Sequence, residues 1–230
     1  MGGLERGGSG MSHFFSCVRL LASPSSNEWI RDLARHGEPY RDHALIWRLF
    51  PGDGAARDFV FRRLEDERSF YVVSARPPQS DSGLFQIQSK PYVPKLESGD
   101  RLRFDLRANP TVSIRHEDGR SRRHDVLMNA KRSTASDARE RLNEAVQAAG
   151  QKWLLERAEQ WGLAIQEDSV LQAGYRQNRL RRKGGNIEYS SLDYQGMAQV
   201  IDPQRLARAL LEGVGHSKGF GCGLLLVKRV

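Results

Sequence analysis

Tyr40 and His43 stand three residues apart in the stretch Pro39 to Leu49, whose apolar positions Tyr40, Leu45, Ile46 and Leu49 fit a short helix stopped by Pro51-Gly52-Asp53-Gly54. Positions i and i+3 share a helix face, so this spacing brings a phenol and an imidazole to one surface. An imidazole with an unperturbed pKa near 6.5 accepts or returns a proton at neutral pH. The same pair on an ordinary amphipathic helix would do nothing, so the spacing alone does not decide. A second feature is cationic. Arg120, Arg122, Arg123, Lys131 and Arg132 crowd one stretch, and Arg176, Arg179, Arg181, Arg182 and Lys183 crowd another with no acidic residue among them. Clusters of this kind favour a polyphosphate partner. A third is the glycine-rich run Gly213 to Gly223. Successive backbone N–H groups of Gly215 to Gly221 could cradle a phosphate, with Lys218 adding charge, or the glycines could serve only as a helix cap and a tight strand entry. Gly215, Gly219, Gly221 and Gly223 follow a helix rather than a strand, which is the wrong order for a dinucleotide fold.

Composition bounds the alternatives. The 230 residues carry 36 Lys and Arg against 28 Asp and Glu, a formal net charge of +8, and 39% are hydrophobic. That length allows one large domain or two small ones. No apolar run approaches the roughly 18 residues that a membrane-spanning helix needs. Cys17 and Cys222 are too few for a disulfide scaffold, and a reducing, cytoplasmic setting is expected. No CxxC or HExxH occurs and the six histidines are scattered, so neither a metal site nor a cofactor is expected.

The elements that must hold these residues alternate between strand and helix. A first strand is read at Phe14 to Leu21, then the helix bearing Tyr40 and His43, then strands at Asp58 to Leu64, Ser69 to Ala75 and Leu84 to Ser89. Pro91 and Pro94 mark the approach to a linker. Arg101 to Ala108 alternates strictly, with Leu102, Phe104, Leu106 and Ala108 on one face and a basic outer surface on the other. A helical block spans about Ser136 to Trp161, with Gly150 as a break and Asp137 and Glu140 at capping-box spacing. Strand material follows, with the basic segment Arg176 to Lys183 forming a long hairpin or a mobile loop. Asp202 and Pro203 then start a last helix, ended by Gly213 or Gly215, before a final strand at Leu224 to Val227. Two α+β units with helices on one face of an antiparallel sheet fit this order.

Four stretches, in sequence order, carry a resemblance. Tyr40-Arg41-Asp42-His43-Ala44-Leu45-Ile46-Trp47-Arg48-Leu49-Phe50-Pro51 with Ala55-Ala56-Arg57-Asp58-Phe59-Val60-Phe61 resembles the N-terminal region of the CasE-type CRISPR repeat endoribonucleases. Arg101 to Pro110 resembles their entry into a second domain, and Gly213-Val214-Gly215-His216-Ser217-Lys218-Gly219-Phe220-Gly221-Cys222-Gly223-Leu224-Leu225 their C-terminal glycine-rich motif. The resemblance implies tandem ferredoxin-like (RRM-like) domains: residues 1–10 a leader or tag, 11–94 the N-terminal domain with the catalytic helix, 95–100 a linker, and 101–230 the RNA-binding C-terminal domain. It implies cleavage of CRISPR precursor RNA at the base of the repeat stem-loop without a metal. The products would be a 5′-hydroxyl and a 2′,3′-cyclic phosphate, and the guide RNA would be retained among other Cascade subunits.

By the same resemblance His43 and Tyr40 match the catalytic pair, and the Arg176 to Lys183 cluster matches a basic hairpin used against the RNA stem. Gly215, Lys218, Gly219 and Gly221 would contact the RNA backbone. Arg48 is a candidate phosphate stabiliser because related sequences carry a basic residue there, although an ideal helix points it roughly 140° from His43. A noncatalytic RNA-binding assembly subunit on the same fold is the alternative, which the retention of both Tyr40 and His43 disfavours.

Overall fold

The strictly alternating segment becomes a strand with the expected bounds, β5 (Arg101–Ala108), in which Leu102, Phe104, Leu106 and Ala108 are all buried. The computed structural model describes residues 13–21, 28, 31, 33, 37–52, 55–80, 83–115, 117, 119–134, 139–182 and 185–230, with backbone alone at 139, 140, 181, 182 and 185. The expected leader and the expected cap at Asp137 lie outside them.

The first sheet contains β1 (His13–Leu20), β2 (Phe59–Arg63), β3 (Ser69–Ser74) and β4 (Phe85–Tyr92) in the order β2-β3-β1-β4, every neighbouring pair antiparallel. Between β1 and β2 runs helix α1 (Glu38–Trp47), which buries Leu45 and Ile46 against Phe59, Phe61, Phe70 and Val72. The intervening residues of β2 and β3, Val60 and Val73, face the opposite way and are buried with Leu224 of the second unit. Both faces of this sheet are therefore covered, which is why Phe59-Val60-Phe61 reads as a continuous apolar run rather than an alternation. Pro91 does not end β4, as the sequence led us to expect. The strand continues to Tyr92 because β4 is an edge, where one side needs no donor.

The second sheet has the order β11-β5-β10-β8, formed by β5, β8 (Leu163–Ile165), β10 (Gly185–Val200) and β11 (Leu225–Arg229). Counted along each unit, both sheets follow the four-one-three-two order of a ferredoxin-like fold. Strand β9 (Leu171–Arg182) pairs with β10 as a long hairpin arm, so the basic segment is ordered strand rather than an interruption of it. A small hairpin of β6 (Thr111–Arg115) and β7 (Ser121–Asp125) and helix α2 (Val126–Ser133) were not expected. Asp125 caps α2 by accepting from the Met128 N–H at 2.8 Å.

Helix α3 (Arg139–Ala158) passes through Gly150 without the expected break. Gly150 is there for contact rather than for bending. A Cβ at that position would lie 2.2 Å from Gln172 Oε1, and the Gly150 carbonyl accepts from the buried Tyr194 hydroxyl at 3.0 Å. This packing outweighs the roughly 1 kcal/mol that glycine costs inside a helix. Helix α4 (Pro203–Glu212) starts as expected, with Asp202 accepting from the N–H groups of Gln204 and Arg205, and ends at Gly213 with φ 72°.

The outer face of β5 stays exposed at Arg101 and Arg103, but its Asp105 and Arg107 are engaged. Arg107 forks Asp193 of β10 through two bonds of 2.7 Å, Arg62 of β2 pairs with Asp105, and Gln195 donates to the same carboxylate at 3.1 Å. The two sheets are thus joined by ion pairs beside the apolar contact of Val60, Val73 and Leu224.

Candidate active site

Pro39 sits in the first turn of α1, after Gly37 at φ 95°, and the Leu45, Ile46 and Leu49 side chains lock the helix onto the first sheet. His43 is thereby held on the side of α1 that meets the second unit. There a 3-10 turn, Lys218–Phe220, lies against it, and His43 Nδ1 is 2.8 Å from the Gly219 carbonyl oxygen. A carbonyl only accepts, so Nδ1 carries the hydrogen and donates it. In the neutral ring Nε2 is then the lone-pair nitrogen. The ring is also packed by Trp47 at 6.1 Å and Phe220 at 5.5 Å between centroids. Phe220 stacks in turn on Tyr189 of β10, at 5.4 Å and 19° between planes.

Burial pulls the His43 pKa below its ordinary value. The bond to Gly219 works in the opposite direction, and the Arg57 charge adds to the lowering. The imidazole is consequently neutral at pH 7, the state in which Nε2 accepts a proton. Asp42, its chain neighbour, is buried and takes no part in orienting the ring. Its carboxylate accepts from Arg41 and Arg63, while burial raises its pKa.

Tyr40 lies one turn before His43 on α1, partly buried. Arg48 is the C-cap residue of that helix and is exposed. Lys218 and Gly219 lie in the turn against α1 and Gly221 directly follows it, whereas Gly215 lies nearer Trp161 and the end of α4; Gly219 presents its carbonyl to His43. Two nearby N–H groups, of Phe220 and Cys222, are taken up by the Ser217 carbonyl. The Lys218 ammonium donates to the carbonyls of Glu212 and Gly213 at 3.0 and 2.8 Å, capping α4 and leaving one of its three N–H groups. Ser217 holds a left-handed φ of 57° and accepts from buried Asn109 at 2.7 Å. Cys222 lies in this turn rather than in a strand, buried, with its thiol pushed up to about 12.

The hairpin arm places Arg176 and Arg179 on exposed strand positions, and Arg179 pairs with Glu188 across the ladder at 2.7 Å. Arg181 and Arg182 continue β9, and Lys183 lies outside the described residues. Leu180 between them is buried and packs near Gly37 at the start of α1, which ties the arm to the His43 helix. A cleft of about 790 Å³ between this arm, β7 and α2 is lined by Arg123, Arg132, Arg179, His124 and His216. It gathers members of both basic clusters.

The sequence did not single out the Gly219 carbonyl or Phe220 as partners of His43, nor Tyr189 behind Phe220, because a contact across 176 residues has no local pattern. Among the described residues no group of three or more His, Cys, Asp or Glu side chains is placed to hold a metal ion, and no helix is long and apolar enough to cross a membrane.

Comparison with known proteins places this arrangement. A family model described as CRISPR associated protein matches residues 16–229. The CRISPR-associated endoribonuclease Cse3 of Thermus thermophilus is 28% identical over 91% of this chain and 98% of its own. The CRISPR system Cascade subunit CasE of Escherichia coli is 30% identical over 86% of this chain and 92% of its own. Among solved structures, CRISPR endoribonuclease Cse3 bound to a 19-nucleotide RNA superposes with a TM-score of 0.66 at 28% identity, covering 94% of this chain and 99% of that one. The Thermus thermophilus Cse3 bound to an RNA representing a pre-cleavage complex gives 0.66 at 26%, with the same coverage. With nearly its whole length matched, the chain belongs to the CRISPR-associated protein family, and within it to the CasE type.

Proposed function

We propose that this protein is an endoribonuclease that cleaves CRISPR precursor RNA at the base of the repeat stem-loop, without a metal ion, and keeps the mature guide RNA within a cytoplasmic Cascade assembly. The observation that carries the reading is His43, pinned through Nδ1 by the Gly219 carbonyl and kept neutral by its surroundings. The relatives supply the context: one named a CRISPR-associated endoribonuclease, one named a Cascade subunit, and one solved with a pre-cleavage RNA.

In the reaction, His43 Nε2 takes the proton from the 2′-hydroxyl on the 5′ side of the scissile bond. The 2′-oxygen bonds to phosphorus, passing through a phosphorane, and the bond from phosphorus to the 5′-oxygen breaks. A proton delivered to that oxygen gives a 5′-hydroxyl, and the other fragment ends in a 2′,3′-cyclic phosphate. Tyr40, one turn away, donates its phenol hydrogen toward the phosphate or the leaving oxygen. The stem is held through phosphates by Arg176, Arg179, Arg181, Arg182 and Lys183, and the glycine-rich turn adds Gly215, Gly221 and the remaining Lys218 donor.

The test is incubation with repeat RNA in EDTA, with the product ends determined. A 5′-hydroxyl and a cyclic phosphate, and no cleavage of RNA bearing a 2′-deoxy residue at the cut site, are expected. Cleavage of the deoxy substrate, or its loss on chelation, would contradict the mechanism.

A further inference from the structure

Arg57 enters the segment before β2, next to Asp58, whose carboxylate is taken by Arg76 through bonds of 2.5 and 3.1 Å. Among the described residues Arg57 itself pairs with no carboxylate. Its guanidinium and the His43 ring converge on one point above the glycine-rich turn. A Cβ placed on Gly219 would lie 3.6 Å from Arg57 Nη1, 3.4 Å from His43 Nδ1 and 3.6 Å from His43 Cε1. A cation held beside a neutral imidazole is an unfavourable neighbour for the protonated ring, and partial burial works against its own charge as well. Such a group is stabilised when an anion enters, and a guanidinium presents a planar fork that matches two phosphate oxygens. Arg48 lacks this placement, since it caps α1 in exposed surroundings.

We propose that Arg57, rather than Arg48, is the cationic catalytic residue of this site, contacting the non-bridging oxygens of the scissile phosphate and stabilising the phosphorane while His43 moves the proton. This rests on the ribonuclease reading above. The negative charge on the non-bridging oxygens grows as the 2′-oxygen bonds to phosphorus, so a preplaced guanidinium acts more strongly on the transition state than on bound RNA. The loss should therefore fall on the rate rather than on affinity.

The experiment is single-turnover cleavage of repeat RNA at saturating protein by Arg57→Ala, Arg57→Lys, Arg48→Ala and His43→Ala, with RNA affinity measured alongside. Arg57→Ala should be slower by roughly 10²- to 10³-fold with affinity changed by less than about threefold, and added guanidinium ion should restore part of the rate. Arg57→Lys should be intermediate, because a point charge remains without the fork, and Arg48→Ala close to the parent. If His43→Ala cleaves normally, the ribonuclease reading itself fails. If His43→Ala is inactive while Arg57→Ala keeps its rate, regains it on saturation, or is slow but unrescued by guanidinium, the assignment of Arg57 is overturned and the function stands.

Discussion

His43 of α1 donates through Nδ1 to the carbonyl of Gly219, a residue 176 positions later in the chain and in the other sheet-and-helix unit. The bond fixes the ring's tautomer and orientation, and it makes the site a property of both units. One unit supplies the imidazole on a helix anchored by Leu45, Ile46 and Leu49, and the other supplies the acceptor and the Phe220 ring against which the imidazole packs.

Acidification tests the protonation state. Burial and Arg57 lower the His43 pKa below 6.5, against the opposing Gly219 carbonyl, so the ring is neutral at pH 7. A base must be unprotonated to act. The single-turnover rate should therefore rise with pH, with a midpoint below 6.5, and be flat from about pH 7 to 8. A rate that falls between pH 6.5 and 8 would make His43 the acid instead.

Gly219→Ala probes the approach of the turn to the helix. The added methyl would meet His43 Nδ1 at 3.4 Å, tight enough to displace the ring or the turn by a few tenths of an ångström. Cleavage at saturation should slow by roughly ten- to a hundredfold with RNA affinity nearly unchanged. An unaltered rate would show that the added methyl is accommodated without moving the ring.

Arg62→Ala should loosen the junction of the two sheets. The Arg62 side chain is only 12% exposed, and its loss leaves the Asp105 carboxylate with Gln195 as its remaining donor. Asp105 is a third exposed, so breaking this half-buried charged pair should cost roughly 1 to 2 kcal/mol, read as a lower denaturant midpoint. A midpoint within error of the parent would mean that the apolar contact of Val60, Val73 and Leu224 carries the junction alone.

Changing Arg179, Arg181 and Arg182 together to Ala should weaken RNA binding and flatten the dependence of log affinity on log salt by about 0.7 to 0.9 per lost phosphate contact. Arg179 and Glu188 form an exposed pair, so stability should hardly change. Saturation with RNA should restore most of the cleavage rate. Loss of rate at saturation would place these arginines at the scissile phosphate.

Local patterns were legible where one element's own chemistry decided the outcome. The alternation of Arg101 to Ala108 fixed β5, and Asp202 with Pro203 fixed the start of α4, because half-burial and capping are written in neighbouring residues. Tyr40 and His43 were singled out through the matched stretch around them, and both stand on the expected helix. What failed did so where distant contacts prevail. Gly150 looked like a helix break until Gln172 and Tyr194 filled the space beside it, and Arg107 and Asp105 of β5 looked like an outer surface until Asp193 and Arg62 met them. Phe220, with Tyr189 stacked behind it, reaches His43 only through the docking of the two units, and Arg57 only through the folding of its own unit, for which no spacing rule exists.

On the proposed mechanism His43 performs the proton transfer without holding the RNA. The most direct test of this is the single-turnover cleavage rate of His43→Ala on repeat RNA at saturating protein in EDTA, with affinity measured on the same preparation. A rate lower by roughly 10²- to 10⁴-fold at nearly unchanged affinity is the expected result. A variant that cleaves at the parent rate, or one whose loss disappears as RNA binding is saturated, would contradict it.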